Sequence, residues 1–163
     1  MIPLTAMAAA KPQTNPWMAS LWGGGISALI AAAFGWLLGT NMPILWGLAL
    51  ILIGVGPVLG YQLAAGKLGR DWKSIIGGFL GGIIPLLGWL ILWPLFVWLL
   101  NRKFPLGRLY LGSLVGIVLG FVVWWAIAMM MGQNPETWFG LAWALAVSAW
   151  GGSTAAFMQE KDA

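Results

Sequence analysis

The sequence predicts an all-α polytopic membrane protein with four transmembrane helices and a proline-broken third segment. Apolar residues make up 61% of the 163-residue chain and charged residues only 7%, whereas a soluble domain carries about 25% charged residues. Apolar runs of about 20 residues recur, and each is long enough to cross a hydrocarbon core of roughly 30 Å. The runs lack the residue alternation of barrel strands, so helices are expected, because they satisfy their own backbone hydrogen bonds in lipid.

The chain divides into a leader, one membrane domain and a tail. The leader, residues 1–17, is expected to be irregular because three prolines, Pro3, Pro12 and Pro16, disfavour helix. The single membrane domain covers residues 18–157, and a short polar tail covers 158–163. Within the membrane domain the apolar segments are 18–39, 44–65, 74–100, 109–131 and 138–157.

The third segment, 74–100, is longer than one crossing needs. A straight helix of this length would extend roughly 40 Å, and Pro85 and Pro94 each remove a helical hydrogen bond. Two geometries are compatible with it. One is a fifth, kinked spanning helix. The other is a re-entrant hairpin that turns at Pro85 and Gly88 and returns to the same face.

The basic residues favour the hairpin, because cytoplasmic loops collect Lys and Arg. If the third segment returns, all eight basic residues of the chain lie on one side of the membrane. If it crosses once, they split evenly between the two sides. The hairpin also places both chain termini in the cytoplasm. The predicted cytoplasmic basic face consists of Lys67, Arg70, Lys73, Arg102, Lys103 and Arg108.

A short internal repeat favours the same geometry. The tripeptide LGR occurs at 68–70 and again at 106–108. In both copies an aromatic residue follows two positions later, and small residues then recur at every fourth position. A unit duplicated in parallel orientation requires both helices to start from the same face of the membrane.

Rows of small residues at every fourth position, as in a glycine zipper, predict close helix packing. Such rows pack against other helices of the same chain or against another subunit, and the sequence leaves both options open. The predicted packing residues are Gly24, Ala28, Ala32, Gly56, Gly60, Ser74, Gly78, Gly82, Gly112, Gly116, Gly120, Gly140, Ala144 and Ser148.

The chain is rich in tryptophan, with 13 residues. Those at segment ends fit the aromatic belt of a membrane protein. Four others, Trp124, Trp125, Trp143 and Trp150, lie deeper in their segments, where they are packing residues or walls of a site for a lipid, quinone or pigment. Because the chain has no histidine, haem and chlorophyll would lack the usual axial ligand, and no cofactor is predicted.

Catalysis is not expected, because proton transfer and nucleophilic attack need His, Cys or paired acids and bases. Away from the termini the acidic residues are Asp71 and Glu136, on opposite faces in the hairpin geometry. Asp71 is expected to pair with the neighbouring Arg70 or Lys73, and Gln62 to reach out of the membrane. No metal-ligand cluster or phosphate loop is recognisable.

These observations predict a non-enzymatic packing or assembly subunit of a larger membrane complex, or a homo-oligomer. The alternatives are an oligomeric, holin-like pore and a binder of a lipid-soluble ligand such as a lipid, quinone or pigment. The expected partners are membrane lipids and other membrane subunits or a second copy. Nucleic acid is not expected, because the basic residues lie at helix ends and determine topology. The predicted location is a bacterial inner membrane or a thylakoid membrane.

Overall fold

A computed structural model describes residues 14–38, 41–132 and 135–160, with side chains for all of these except 135–137. Residues 1–13 of the predicted leader and 161–163 of the tail therefore lie outside the described residues. The described chain is helical and has no strands, so the all-α prediction is confirmed. The helices are α1 (Pro16–Leu38), α2 (Pro43–Ile53), α3 (Gly56–Ala64), α4 (Trp72–Gly82), α5 (Trp93–Leu100), α6 (Leu106–Met131) and α7 (Pro135–Phe157), and a π-helical turn at Gly88–Leu92 precedes α5.

α1 begins inside the predicted leader. The side-chain Oδ1 of Asn15 accepts hydrogen bonds from the backbone N–H groups of Trp17 and Met18, at 2.9 and 3.4 Å, and so caps the helix. Proline at the first helical position loses no intrahelical hydrogen bond, and its φ suits a helix. The expectation that Pro16 discourages helix is therefore wrong.

The second predicted segment consists of two helices. α2 and α3 meet at 44° across a break after Ile53. Pro57, in the first turn of α3, has no N–H to donate to the carbonyl four residues earlier. The chain therefore bends here, and 44–65 is not one straight helix.

The third predicted segment reverses direction. α4 and α5 pack closely side by side, since a Cβ built at Gly77 would lie 2.7 Å from the Cα of Val97. One turn further along α4, Gly81 faces Trp93 at the beginning of α5, so the two helices are antiparallel. The reversal occupies residues 83–87, where Leu86 has a φ of 58°, a value that few non-glycine residues adopt.

α7 lies between α1 and α6 and is antiparallel to both. On one side, Gly24 and Ser20 of α1 face Ser148 and Gly152 of α7 respectively. On the other side, Gly112, Gly116 and Gly120 of α6 face Thr154 to Phe157, Trp150 and Ala146 of α7. These close approaches place helix backbones in contact, which is where small residues are required.

The remaining contacts show at which end of the bundle each helix begins. α3 is antiparallel to α1, because Gly56 meets Ser27 and Gly60 meets Trp22 and Gly23. α4 is antiparallel to α2 and α3, because Gly82 meets Ile51 and Gly78 meets Val58. Consequently α1, α4 and α6 begin at one end of the bundle, and α3, α5 and α7 finish there. We call this end the basic end. The two copies of the LGR repeat precede or open α4 and α6, which both start from it.

Two helices, α1 and α6, are long and apolar enough to cross a membrane, and α2 with α3 forms a third candidate if the bent pair is one span. Of the described helices, α7 has 23 residues but does not meet the same criterion of length and hydropathy. The four predicted spans therefore stay a prediction. Large apolar side chains such as Trp17, Trp36 and Met130 are exposed on the outer surface, as expected for contact with lipid.

Candidate functional site

Most predicted small-residue rows face other helices of this chain. In α3 the row faces α1, in α4 it faces α2 and the bend that follows, and in α6 it faces α7. The members that meet a neighbouring backbone or side chain are Gly56, Gly60, Gly78, Gly82, Gly112, Gly116 and Gly120. Ser74 of the α4 row is also buried. These rows are consequently covered within the chain.

On α1 the buried row differs from the predicted one. Gly24 does pack against Ser148 of α7, but Ala28 is half-buried and Ala32 is exposed. The buried residues of α1 are Ala19, Gly23, Gly24, Ser27 and Ala31. Both rows have four-residue spacing, and a 3.6-residue period places adjacent rows on overlapping faces. The row that packs was therefore decided by the neighbours α3 and α7.

On α7 only part of the predicted row packs. Gly140 has no neighbour within 4 Å and is exposed, whereas Ala144 and Ser148 are half-buried. The closest contact of α7 is instead at Gly151, whose added Cβ would overlap the Ser27 side chain and would lie 2.8 Å from the carbonyl oxygen of Gly23.

The six residues of the predicted basic face all lie at the basic end. Four of them line a polar cleft of about 420 Å³ between the two ends of the α4–α5 hairpin: Arg70, Lys73, Arg102 and Lys103. The Arg102 guanidinium lies 3.6 Å from the ring centroid of Trp98, a cation–π contact. Arg108 is in the first turn of α6.

Lys67 forms an ion pair with Glu160, with 2.8 Å between Nζ and Oε1. The hydrogen bond from Lys67 to this carboxylate raises the pKa of Lys67 above its ordinary value. The pair joins the loop after α3 to the segment after α7. Among the described residues no other ion pair has its charged atoms within 4 Å. Asp71 therefore forms no ion pair with Arg70 or Lys73, and that expectation is wrong.

A partly buried polar network joins the start of α4 to the end of α5. The Oδ2 atom of Asp71 accepts hydrogen bonds from Ser74 Oγ, at 3.0 Å, and from Asn101 Nδ2. Asn101 Nδ2 also donates to Ser74 Oγ at 2.8 Å. Because Asp71 and Ser74 lie at the start of α4 and Asn101 follows α5, these bonds hold the hairpin shut.

Gln62 completes this network, which we call the clasp: Gln62, Asp71, Ser74 and Asn101. Gln62 is 1% exposed, so the expectation that its side chain reaches out of the membrane is wrong. Its Nε2 donates to the carbonyl oxygen of Asp71, and its Oε1 accepts from the N–H of Gly69, both at 2.9 Å. The amide thereby shapes the loop between α3 and α4.

A cavity of about 270 Å³ lies beyond the hairpin turn, between α6 and α7. Its lining is apolar and contains four tryptophans, Trp89, Trp124, Trp143 and Trp150. α4 has 11 residues and is therefore roughly 16 Å long, much shorter than α6. The space past the hairpin turn is consequently left to aromatic side chains.

Rings on one side of the cavity form a continuous column. Trp89 stacks on Trp150 with ring centroids 4.9 Å apart, and Trp143 lies 6.1 Å from Trp89. Trp93 meets Trp150 edge-on at 5.9 Å, and Phe34 of α1 lies 5.8 Å from Trp143. Aromatic contacts in these geometries contribute about 0.5–1.5 kcal/mol each beyond their buried area.

The sequence singled out some of these rings and missed others. Trp124, Trp143 and Trp150 line the cavity, whereas Trp125 is 66% exposed on the outside of α6. Trp89 was missed, although it directly follows Gly88 of the predicted turn.

The indole N–H groups of the column differ in their partners. Trp150 Nε1 donates to Ser113 Oγ at 3.0 Å, and Trp93 Nε1 donates to the carbonyl oxygen of Gly54 at 2.6 Å. The Nε1 atoms of Trp89 and Trp143 are buried and have no acceptor in the described part of the protein. A buried donor without an acceptor costs about 1–3 kcal/mol, so these two N–H groups are unfavourable for the stability of the fold.

No residue that lines this cavity has a titratable side chain. Over the described ranges no group of three or more His, Cys, Asp or Glu is placed to hold a metal ion. Comparison with protein-family models, with curated proteins and with solved structures finds no match for this chain.

Proposed function

We propose that the chain is a non-enzymatic integral membrane protein that binds a lipid-soluble ligand in the cavity between the hairpin turn, α6 and α7. The observation that carries this proposal is an open-sided cavity of about 270 Å³ lined by apolar and aromatic side chains. Sites for small molecules are concave and mostly apolar, and an apolar cavity of about 150 Å³ already binds benzene. The cavity therefore suits a ring system or part of a longer apolar molecule.

The cavity also has an entrance from the outer surface. Three of its lining residues, Leu86, Phe121 and Phe139, are 48%, 60% and 41% exposed. The neighbouring surface carries large apolar side chains, so a ligand dissolved in the lipid would enter from the side. A ligand longer than the cavity would extend through the same opening.

We place α1, the α2–α3 pair, α6 and α7 across the membrane, with the hairpin entering from the basic end and returning to it. All six residues of the basic face lie at that end, and the positive-inside rule assigns it to the cytoplasm. A hairpin arm of roughly 16 Å reaches about halfway through a hydrocarbon core of roughly 30 Å. The cavity would then lie in the half of the membrane remote from the cytoplasm.

Single cysteines test this placement, because the chain has none of its own. We would place them at Gly69 and Leu106, which flank the hairpin at the basic end, and at Met131, at the far end of α6. An impermeant thiol reagent applied to right-side-out vesicles should label only Met131→Cys, and inside-out vesicles should give the reverse pattern. Labelling of Gly69→Cys and Leu106→Cys from opposite sides would contradict the re-entrant hairpin.

Ligand binding is tested by extracting the purified protein with organic solvent and identifying enriched apolar molecules by mass spectrometry. Ala146→Phe fills the cavity, which Ala146 lines. Ala126→Phe makes the same change on the exposed outer face of α6. We expect an apolar molecule to accompany the native protein and Ala126→Phe but not Ala146→Phe. Equal recovery from both variants, or no enrichment over empty detergent micelles, would refute the proposal.

The assembly subunit and the pore have less support. The small-residue rows that motivated assembly face helices of the same chain. The helix glycines without a neighbour within 4 Å are spread over α1, α2, α6 and α7, and no two of them have four-residue spacing: Gly25, Gly35, Gly47, Gly107 and Gly140. Assembly with another subunit or a second copy would therefore use the apolar outer surface.

A further inference from the structure

We infer that the polar cleft at the basic end binds the anionic headgroup of a phospholipid. The groups that would bind the phosphate are the four basic side chains of the cleft, Arg70, Lys73, Arg102 and Lys103. This site is separate from the apolar cavity, which lies beyond the hairpin turn, and it does not depend on the ligand bound there. It does use the proposed placement of the basic end at a membrane surface, where lipid headgroups lie.

The cleft has an excess of positive charge. Its lining contains the four basic side chains and one carboxylate, that of Asp71, whose Oδ2 atom already accepts two hydrogen bonds within the clasp. All four basic side chains are exposed, and in the described part of the chain none of them forms an ion pair within 4 Å. Like charges around one concave surface repel each other, so an anion in the cleft would relieve this repulsion.

The basic residues of the cleft differ from the other two residues of the basic face. Lys67 is paired with Glu160, and Arg108 lies in the first turn of α6, so neither lines the cleft. The positive-inside rule requires basic residues near helix ends, but it does not require that they converge on one surface. The four that converge come from both ends of the hairpin, which the clasp joins. Membrane topology alone therefore does not account for the cleft.

An aromatic ring restricts the Arg102 side chain. The guanidinium carbon lies 3.6 Å from the ring centroid of Trp98. A ring that covers one face of a guanidinium leaves its N–H donors available, because these donors lie in the plane of the group. The same donors match two oxygens of a phosphate in a bidentate arrangement. Trp98 therefore orders a flexible side chain without using its hydrogen-bonding capacity.

The margin of the cleft is apolar, which favours a lipid over a free phosphate. Trp72 and Leu100 line the cleft, and both are exposed. From Trp72, exposed apolar side chains continue along α4 at Ile76 and Phe79, a spacing that places them on one helix face. The acyl chains of a bound lipid would lie along this face. Basic pockets between membrane helices on the cytoplasmic side bind anionic lipid headgroups.

The test compares phosphatidylglycerol, which has a net negative charge, with phosphatidylcholine, whose phosphate is neutralised by choline. Both lipids carry the same acyl chains, and each is titrated into the full chain in a neutral detergent. Native mass spectrometry counts the bound lipid. An acyl chain that enters the apolar cavity does so equally for both lipids, so the ratio of the two dissociation constants reports on the headgroup. Glycerol phosphate, which has no acyl chain, is the competitor that represents a free phosphate.

We expect the native protein to bind phosphatidylglycerol at least about twentyfold more tightly than phosphatidylcholine at low ionic strength. Arg102→Gln and Lys103→Gln should each reduce this preference about fivefold, the effect of one basic residue near an anionic lipid. The double variant should lose most of the preference. Arg108→Gln is the matched control, because it removes the same charge at the same end of the bundle but outside the cleft. It should change the preference by less than about twofold.

Three results would overturn the inference. The first is equal affinity of the native protein for the two lipids, a comparison that needs no variant. The second is an equal loss for Arg108→Gln and Arg102→Gln, which would show a diffuse attraction of the whole basic end. The third is displacement of phosphatidylglycerol by an equal concentration of glycerol phosphate, which would assign the cleft to a free phosphate. None of them concerns the ligand of the cavity, which Ala146→Phe tests separately.

Discussion

The open end of the α4–α5 hairpin and its turn differ in how their polar groups are hydrogen-bonded. At the basic end, the side-chain amide, hydroxyl and carboxylate groups of the clasp bond to one another and to the adjoining backbone. At the turn, Trp89 and the neighbouring Trp143 present buried N–H groups without acceptors. Both sites are enclosed by helices of the same chain. The clasp therefore satisfies its polar groups within the chain, whereas the region at the turn leaves two indole N–H groups unsatisfied.

Helix packing also differs between the contacts of α1 and the region around the cavity. The α1–α3 and α1–α7 contacts bring backbones together through glycines, which leaves no space between the helices. Around the cavity the contacts are made by large rings, whose shapes leave a gap at the end of a short hairpin.

The largest expected effect is on the tightly packed side. A Cβ at Gly60 would overlap the backbone of Gly23, so Gly60→Leu should destabilise the protein by at least about 3 kcal/mol and prevent isolation of a monodisperse form. Gly47→Leu is the matched control, because Gly47 has no neighbour within 4 Å. The measurement is the yield and thermal unfolding of each variant in detergent. Equal behaviour of the two would show that α1 and α3 do not pack as described.

The next effect concerns the clasp. Asp71→Ala removes the carboxylate that accepts from Ser74 and Asn101, and leaving buried donors unpaired should destabilise the protein by about 1–3 kcal/mol. Lys73→Ala, an exposed neighbour in the same cleft, should have little effect. Spin labels at Trp72 and Leu100 would report whether the hairpin opens. An unchanged distance and unchanged stability would mean that the clasp does not hold the hairpin shut.

A smaller effect compares two stacked rings directly. Trp150→Phe breaks a hydrogen bond to Ser113 and should destabilise the protein by about 1 kcal/mol more than Trp89→Phe, which removes an N–H group with no acceptor. The two substitutions remove the same atoms from adjacent rings, so the lost apolar area nearly cancels. Denaturant unfolding without added ligand measures the difference. A larger loss for Trp89→Phe would indicate that Trp89 already has a partner.

The smallest effect is expected for the ion pair between Lys67 and Glu160. The Lys67 side chain is 40% exposed, and exposed pairs contribute about 0.2–1 kcal/mol. Because Glu160 raises the pKa of Lys67, the contribution is fully present below the ordinary value of 10.5. It disappears as the pH rises through the raised pKa. A double-mutant cycle with Lys67→Met and Glu160→Gln, run at neutral pH and above pH 11, should show coupling only at neutral pH.

Local sequence signals predicted the elements that depend on few neighbours. Pro85 lies in the reversal and Gly88 directly after it, because a proline in the interior of a helix removes a backbone hydrogen bond and clashes with the preceding turn. The six residues of the basic face lie together because they occupy the helix ends on either side of that reversal. The buried row on α1 was not predictable, since Gly23 and Gly24 are equally small and only the positions of α3 and α7 decide which row packs. The clasp was also missed, because it joins Gln62 of α3 to Asp71 before α4 and Asn101 after α5, and only the packing of these helices brings the three together.

Composition by itself determined that this chain is helical and apolar outside, because so few charged residues cannot cover a surface in water and backbone groups in lipid must bond within helices. Only the tertiary structure decided where the chain leaves space and which polar atoms lack partners. The cavity exists because a hairpin of limited length ends between two longer helices. The N–H groups of Trp89 and Trp143 lack acceptors because of the rings around them, and no local pattern in the sequence encodes either fact.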